Sequence, residues 1–217
     1  MNSFLKSNNI RTATIKKNVV YSAGIKGISI LVSLVLVPLT INFVSSELYG
    51  IWLTLSSIIG WLGFFDVGFG LGLRNKLTTA LAFEDFNKGK ILVSTTYCVL
   101  FIIFTAIAII GYIIAGYVNW CNLLNVSVEY SGVLITASRI VIISFCATIV
   151  SKLIQNVFQA YQMTAAASFV DTVSQVLSLI LIFVLTKTTA PDLNNLAFVF
   201  CFSPLIVYLC FSFIMYK

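Results

Sequence analysis

The chain has 217 residues, of which 59% are hydrophobic and 9% charged, with a formal net charge of +6. Soluble domains average roughly 45–50% apolar and about 25% charged residues, so this composition excludes a water-soluble globular fold, and the hydrophobicity excludes disorder. The absence of histidine removes histidine-dependent zinc, haem and dyad chemistry. The remaining class is an all-α polytopic membrane protein, for which no metal or cofactor is expected.

Apolar runs along the chain predict about six membrane-spanning helices. A hydrocarbon core of ~30 Å takes about 20 helical residues to cross, and lipid offers no partners for unpaired backbone groups. The runs are 19–44, 49–73, 91–118, 133–157, 165–186 and 196–216. Residues 1–18 form a basic cytoplasmic tail, and 19–217 form one transmembrane lobe. The connections are short, so function is expected among the helices.

The lysines and arginines outside the runs predict the orientation. In a six-span topology Lys187 lies alone on one side of the membrane, and all the others lie on the opposite side. Those others are Lys6, Arg11, Lys16, Lys17, Arg74, Lys76, Lys88, Lys90 and Lys217. Cytoplasmic loops carry the excess of Lys and Arg, so both termini are predicted to be cytoplasmic. The net positive charge is therefore explained by the membrane topology and does not indicate nucleic-acid binding.

Polar side chains recur at helical spacing in three of the runs. The stripes are Asn18, Ser22, Lys26, Ser29, Ser33 and Thr40 in the first run, Ser144, Thr148, Ser151, Lys152, Gln155 and Gln159 in the fourth, and Ser168, Asp171, Gln175 and Ser178 in the fifth. Isolated Ser and Thr residues are expected to bond helix to helix. Stripes that include charges and glutamines favour a water-accessible cavity.

Ionisable side chains at membrane depth are costly and point to function. Lys26, Asp66, Lys152 and Asp171 lie at similar depths, which predicts the pairs Lys26–Asp66 and Lys152–Asp171. These pairs are either structural, or an inner gate, or a cation-coupling site at one carboxylate. Arg139 lies off the stripe of its helix, so either it reaches the outer headgroups or the helix bends there.

The segment 64–82 is rich in glycine. Each of Gly68, Gly70 and Gly72 costs a helix ~1 kcal/mol relative to alanine. The three therefore predict a helix break, in the form of a kink or an unwound turn, or else a close backbone approach. No strand precedes these glycines, so they do not form a dinucleotide site. Arg74, Asn75 and Lys76 follow at the predicted cytoplasmic mouth, where they hold either lipid headgroups or an anionic substrate.

This segment carries a resemblance to a known family. It contains the run Phe65-Asp66-x-Gly68-x-Gly70-x-Gly72-x-Arg74-Asn75-Lys76, which follows an aromatic-rich span that begins near Leu48-Tyr49-Gly50. In these features the chain resembles the O-antigen and polysaccharide flippases. That family belongs to the multidrug/oligosaccharidyl-lipid/polysaccharide exporter superfamily. The basic tail and a first span with Lys26 and Pro38 agree in order. The rest of the chain is similar only in its pattern of spans. Family members have two lobes of similar layout, so the chain resembles an N-terminal half whose C-terminal lobe is missing.

The resemblance implies export of undecaprenyl-diphosphate-linked oligosaccharide across the bacterial cytoplasmic (inner) membrane by alternating access, for surface polysaccharide biosynthesis. No bond is made in this process, so the chain is not expected to be an enzyme. The implied partners are membrane lipid, the polyprenyl-diphosphate-linked sugar, the missing lobe and polysaccharide-assembly enzymes, but no nucleic acid.

The same resemblance suggests roles for the polar residues. Phosphate candidates are Lys26, Arg74, Lys76 and Arg139, and sugar candidates are Asn75, Gln155 and Gln175. Asp66, Lys152 and Asp171 are then candidates for a gate or for ion coupling. The alternatives are a cation-coupled multidrug exporter of the same superfamily and a non-transporting membrane scaffold.

Overall fold

The protein is helical along almost all of its described length. The computed structural model describes the backbone of residues 2–61 and 64–216, and the side chains of residues 18–57, 61 and 68–216. In chain order the helices are α1 (Asn2–Val44), α2 (Ser46–Gly60), α3 (Phe64–Ala82), α4 (Phe86–Ala115), α5 (Trp120–Leu124), α6 (Ser131–Ala160), α7 (Thr164–Thr188) and α8 (Leu193–Tyr216), with a 3-10 turn at Val128–Tyr130.

Within the described residues, five helical segments are long and apolar enough to cross a membrane. They are Asn18–Val44, Phe86–Ala115, Val128–Ala160, Thr164–Thr188 and Leu193–Tyr216. These segments contain the first, third, fourth, fifth and sixth predicted runs almost entirely. Many large apolar side chains on them are exposed, for example Val20 and Leu34 on α1, as suits contact with lipid. The prediction of an all-α polytopic membrane protein is confirmed.

The second predicted run, 49–73, is two helices rather than one. α2 packs into a buried cluster with the beginnings of α6 and α8, whereas α3 packs into a second cluster with the end of α6. The two clusters lie at opposite ends of α6, so α2 and α3 together run the length of the bundle. They lie beside the five helical segments that are long and apolar enough to cross a membrane.

The predicted helix break at Gly68, Gly70 and Gly72 is wrong, because the helix is not broken at these residues. α3 is continuous through all three glycines, and a Cβ added at Gly68 or Gly72 would meet no atom within 4 Å. A glycine costs a helix only ~1 kcal/mol, whereas each unpaired backbone group in lipid costs several kcal/mol. The helix therefore continues through the three glycines, and the boundary between α2, which ends at Gly60, and α3, which begins at Phe64, lies upstream of them.

α6 is the central helix of the bundle. It contacts α3, α4, α7 and α8 along its length, while α1 packs against α7 on the far side. At one end, which we name the α5 end, the short helix α5 is held by a 2.9 Å hydrogen bond from Trp120 Nε1 to the carbonyl of Ala115. At the other end, named the α3–α4 end, Asp85 caps α4 by accepting from the backbone N–H of Lys88 at 3.0 Å.

Candidate functional site

The polar stripes of α1 and α7 face each other. The hydroxyl oxygens of Ser22 and Ser168 lie 2.8 Å apart, and Ser29 Oγ donates to Gln175 Oε1 at 2.6 Å. We name this contact the α1–α7 seam. The bonds join the two helices directly, which favours the helix-to-helix alternative for these serines, and the water-accessible cavity stays a prediction. The cause is that lipid offers a hydroxyl or an amide no partner, so another helix provides one.

Lys26 lies on the same face of α1 as the seam. Its side chain is exposed, and none of the described residues forms an ion pair or hydrogen bond with its amine. The side chain of Asp66, its predicted partner, lies outside the described residues.

A second polar cluster joins α6, α7 and α8 around Asp171. Gln155 Nε2 donates to Asp171 Oδ1 at 2.5 Å, and the Tyr208 hydroxyl donates to the same oxygen at 2.8 Å. Gln155 and Tyr208 are buried, and Asp171 is half-buried. A carboxylate held by two neutral donors thus lies at a junction of three helices, which we name the Asp171 cluster.

The Asp171 cluster corrects the predicted pair Lys152–Asp171. In the described part of the chain no ion pair joins the two residues, and the side chain of Lys152 is exposed. Drawing the amine into the cluster would remove its solvation, which costs several kcal/mol. Two neutral donors satisfy the carboxylate oxygen without that cost.

Basic residues gather at the α3–α4 end. Arg74 is half-buried, and its Nη1 donates to Gln159 Oε1 on α6 at 2.9 Å. Asn75 and Lys76 follow on α3 with exposed side chains, and Lys88 and Lys90 are exposed at the start of α4. We name the four cations of this end, Arg74, Lys76, Lys88 and Lys90, the basic rim.

A groove of about 1370 Å³ lies between α4 and α8, with α6 as its floor. One face of α4 lines it from Phe86 to Ile113, which at 1.5 Å per residue is about 40 Å. The edge-to-face rings of Tyr97 on α4 and Tyr216 on α8, with centroids 6.1 Å apart, cross from one wall to the other. This α4–α8 groove is longer than the ~30 Å hydrocarbon core of a bilayer.

The lining of the α4–α8 groove is mostly apolar. Phe101 and Phe104 on α4, Ile143 on α6, and Leu205 and Leu209 on α8 all line it. Among the described residues that line the groove, Lys90 is the charged one, and it lies at the α3–α4 end. The groove therefore combines a long apolar surface with a cation at one end.

Arg139 lies beside the other end of the groove and is not among the residues that line it. Its guanidinium packs 4.6 Å from the ring centroid of Tyr112, which lines the groove. The approach is close, since a Cβ added at Gly116 would lie 2.5 Å from Arg139 Nη2. α6 is an unbroken helix through this position, and Arg139 Nε is buried without a hydrogen-bond partner among the described residues.

The structure joins some of the predicted site residues and separates others. Gln155 contacts Asp171, Gln175 contacts α1, and Arg74 contacts Gln159. Among the described residues no hydrogen bond joins Lys26 or Arg139 to any of these side chains. Sequence reasoning missed Tyr208 and Tyr112, because an aromatic residue in an apolar run looks like any other core or lipid-facing residue. It missed the groove for the same reason.

Comparison of the chain with protein-family models, with curated proteins and with solved structures finds no match in any of the three.

Proposed function

We propose that the chain is one lobe of a transporter that moves undecaprenyl-diphosphate-linked oligosaccharide across the bacterial inner membrane by alternating access. The observation that carries the proposal is the α4–α8 groove. Its volume of about 1370 Å³ exceeds the roughly 300–1,000 Å³ of pockets for drug-sized ligands. A long apolar groove of this size suits a polyprenyl chain, which is itself long and apolar.

Cations near the groove suit the diphosphate of such a lipid. Desolvating an ion costs several kcal/mol, and nearby cations offset part of that cost. Lys90 lines the groove, and Arg74 and Lys76 belong to the same basic rim. We propose that this rim and both termini face the cytoplasm, following the excess of Lys and Arg on that side. The lipid would then enter from the cytoplasmic leaflet.

The glycan would meet polar groups at the basic rim, where Asn75 is exposed. Gln155 and Gln175, the other sugar candidates, are occupied in helix–helix bonds. In this proposal they reach sugar only in a conformation in which the Asp171 cluster and the α1–α7 seam have opened. The resemblance of residues 65–76 to the polysaccharide flippases supports the substrate class and suggests a second lobe and polysaccharide-assembly enzymes as partners.

The test is deletion of the reading frame in its bacterial host. We expect the surface glycan, measured with a fluorescent lectin on intact cells, to be lost. The undecaprenyl-diphosphate-linked oligosaccharide should accumulate, as measured by mass spectrometry of the lipid extract. Wild-type protein should restore display, and Lys90→Glu should not, because it places an anion beside the diphosphate. The control is Lys187→Glu at the opposite end of the bundle. Normal display in the deletion strain would refute the proposal.

The Asp171 cluster favours a second candidate, a cation-coupled multidrug exporter of the same superfamily. A carboxylate without a paired cation among the described residues is a suitable site for a coupling ion. This candidate predicts that the deletion strain keeps its surface glycan and accumulates cationic dyes. It also predicts that Asp171→Asn reproduces the dye accumulation while the protein level stays normal.

A further inference from the structure

We infer that Tyr97 on α4 and Tyr216 on α8 form a latch across the α4–α8 groove. This latch opens to let a lipid chain enter the groove from the membrane and closes over the chain afterwards. The inference rests on the proposed function in taking the same groove and the same class of lipid. It adds the step by which the lipid enters and leaves. We name the pair the tyrosine latch.

The tyrosine latch crosses the groove near its α3–α4 end. Tyr97 lies seven residues after Lys90 and 16 residues before Ile113, and all three line the groove from α4. At 1.5 Å per residue these separations are about 10 Å and about 24 Å. A lipid with its phosphate at the basic rim would have its apolar chain, rather than its head, beneath the latch.

The rings of the latch lie on the open side of the groove. α6 forms the floor, so a chain that comes sideways from the bilayer passes between the walls of α4 and α8. Phe101 and Leu209 line these walls and are exposed, as is Tyr216 at 52%, whereas Cys146 on the floor is buried. Exposed apolar side chains of membrane-spanning helices contact lipid. The latch therefore lies where a chain passes from the bilayer into the groove.

The contacts within the latch are weak enough to open. The two rings meet edge to face at 84° with centroids 6.1 Å apart, and the Tyr216 hydroxyl donates to the Tyr97 hydroxyl at 3.5 Å. Hydrogen bonds between hydroxyl groups are usually roughly 2.7–2.8 Å long, so this one is long. Tyr216 is also the last residue of α8, and helix ends fray.

The latch is also the ring contact between the two walls. Among the described residues, no other aromatic pair joins α4 to α8. A rotation of the Tyr216 side chain would therefore remove the ring contact and the hydrogen bond together. The wall of α8 would then be separated from the wall of α4 at this level without a change in the packing of either helix on α6.

The experiment measures lipid exchange by the purified full chain in detergent micelles with native mass spectrometry. The probe is undecaprenyl phosphate, whose uptake is followed after mixing and whose release is followed after dilution into lipid-free micelles. We expect Tyr216→Ala to speed uptake and release alike, by about three- to tenfold, which corresponds to the loss of one aromatic pair. The dissociation constant should stay unchanged, because a latch controls the barrier to exchange.

The two rates distinguish a latch from an ordinary wall residue. A residue that only contacts the bound chain would, when removed, speed release alone and weaken binding, and this result would overturn the inference. Unchanged rates would overturn it as well. Tyr216→Phe keeps the ring and loses the donated hydrogen bond, so both rates should rise by less. The control is Tyr117→Ala, an exposed tyrosine that does not line the groove, and it should exchange lipid at wild-type rates.

A cross-link tests the closed latch within one protein, which keeps the inference open to refutation if Tyr216→Ala folds poorly. In a variant without native cysteines, Tyr97→Cys and Tyr216→Cys are joined by a short thiol-cleavable reagent. We expect the linked protein to exchange lipid roughly tenfold more slowly than the unlinked one, or slower still, and a reductant to restore the rates. Equal rates with and without the link, or failure of the two cysteines to link, would overturn the inference.

The control for the cross-link is Ile109→Cys with Tyr216→Cys. Residue 109 lies 12 residues after residue 97 on α4, about 18 Å farther along the helix, so the short reagent should not join this pair. Treatment with the reagent should leave its lipid exchange unchanged. Slower exchange in this control would show that the reagent itself blocks the groove, and the latch would lose its support.

These measurements contain no sugar and no transport step. Lipid exchange that does not depend on the latch would leave glycan export standing, and normal glycan display in the deletion strain would leave the exchange rates standing. A wild-type chain that takes up no undecaprenyl phosphate would overturn the latch, while the deletion strain would still decide glycan export.

Discussion

Single side chains decide how the helices of this bundle are joined. Asp171 Oδ1 accepts from Gln155 and from Tyr208, which belong to two other helices. In a membrane interior no water replaces a lost acceptor. The Tyr208 hydroxyl donates to this carboxylate, and Gln155 Nε2 has besides it a longer contact of 3.5 Å with the carbonyl of Ala167. One residue of α7 thereby ties together α6, α7 and α8.

Replacing Asp171 should therefore cost stability. We expect Asp171→Ala to lower the free energy of unfolding by about 2–3 kcal/mol, because two buried donors lose their acceptor. Asp171→Asn keeps an acceptor oxygen and should cost less. Thermal unfolding of the purified protein in micelles measures both, with Lys187→Ala at an exposed position as the control. An alanine variant as stable as the wild type would contradict this role.

At the scale of the helices, small residues set how closely two elements pack. α4 approaches α6 at Gly111, where an added Cβ would lie 2.8 Å from Ile142 Cγ2. Gly24 on α1 is also in a helix, but an added Cβ there meets no atom within 4 Å. Both glycines lie inside a helix, but Gly111 packs closely against a second helix and Gly24 has open space beside it.

Alanine at these two positions should have opposite effects. Gly111→Ala should destabilise the protein by about 1–3 kcal/mol, since Ile142 or α4 must shift. Gly24→Ala should stabilise it by about 0.5–1 kcal/mol through helix propensity alone. Melting temperatures of the two variants and the wild type test this directly. The same sign of change at both positions would be inconsistent with the α4–α6 contact.

The α1–α7 seam makes a separate prediction about two helices far apart in the sequence. In a variant without the native cysteines, Ser22→Cys with Ser168→Cys should form a disulfide on mild oxidation, because the hydroxyl oxygens they replace lie 2.8 Å apart. A protease site inserted after Asn122 would reveal the bond as two fragments that separate only on reduction. Gly27→Cys with Ser168→Cys is the control. Fast labelling of both seam cysteines by a water-soluble maleimide would instead favour a water-filled space.

At the scale of the whole molecule, the topology depends on whether α2 and α3 together cross the bilayer. α2 belongs to the α5 end and α3 to the α3–α4 end. With such a crossing, the four rim cations would lie on the same side as the basic tail, as the excess of Lys and Arg on one side predicts. Without it, the tail and the basic rim would lie on opposite sides of the membrane.

Labelling of the two connections separates these topologies. In a variant without native cysteines, Ser45→Cys should react with an impermeant maleimide in intact cells. Glu84→Cys should react only in inverted vesicles, because α2 and α3 together cross the bilayer. Both positions follow a helix end, so they are comparable in access. Labelling of both from the same side would show that α2 and α3 do not cross.

The sequence by itself determined the all-α membrane class, the approximate bounds of the five long apolar helices, and the polar stripes. These are local properties: a run of apolar residues long enough to span lipid becomes a helix, and its period of 3.6 decides which side chains share a face. The same local reasoning placed the break at Gly68, Gly70 and Gly72, because it counted glycine propensity without the larger cost of unpaired backbone groups in lipid.

Only the tertiary structure decided what each stripe faces. The partners of Asp171 lie 16 and 37 residues away, on helices whose order around α6 no local pattern encodes. The α4–α8 groove likewise exists because α4 and α8 flank α6 with a space between them that the rings of Tyr97 and Tyr216 cross. Arg139 meets Tyr112 through the same packing of α4 on α6. Hydrophobicity assigns a residue to the membrane, but packing between distant helices determines which residue it contacts there.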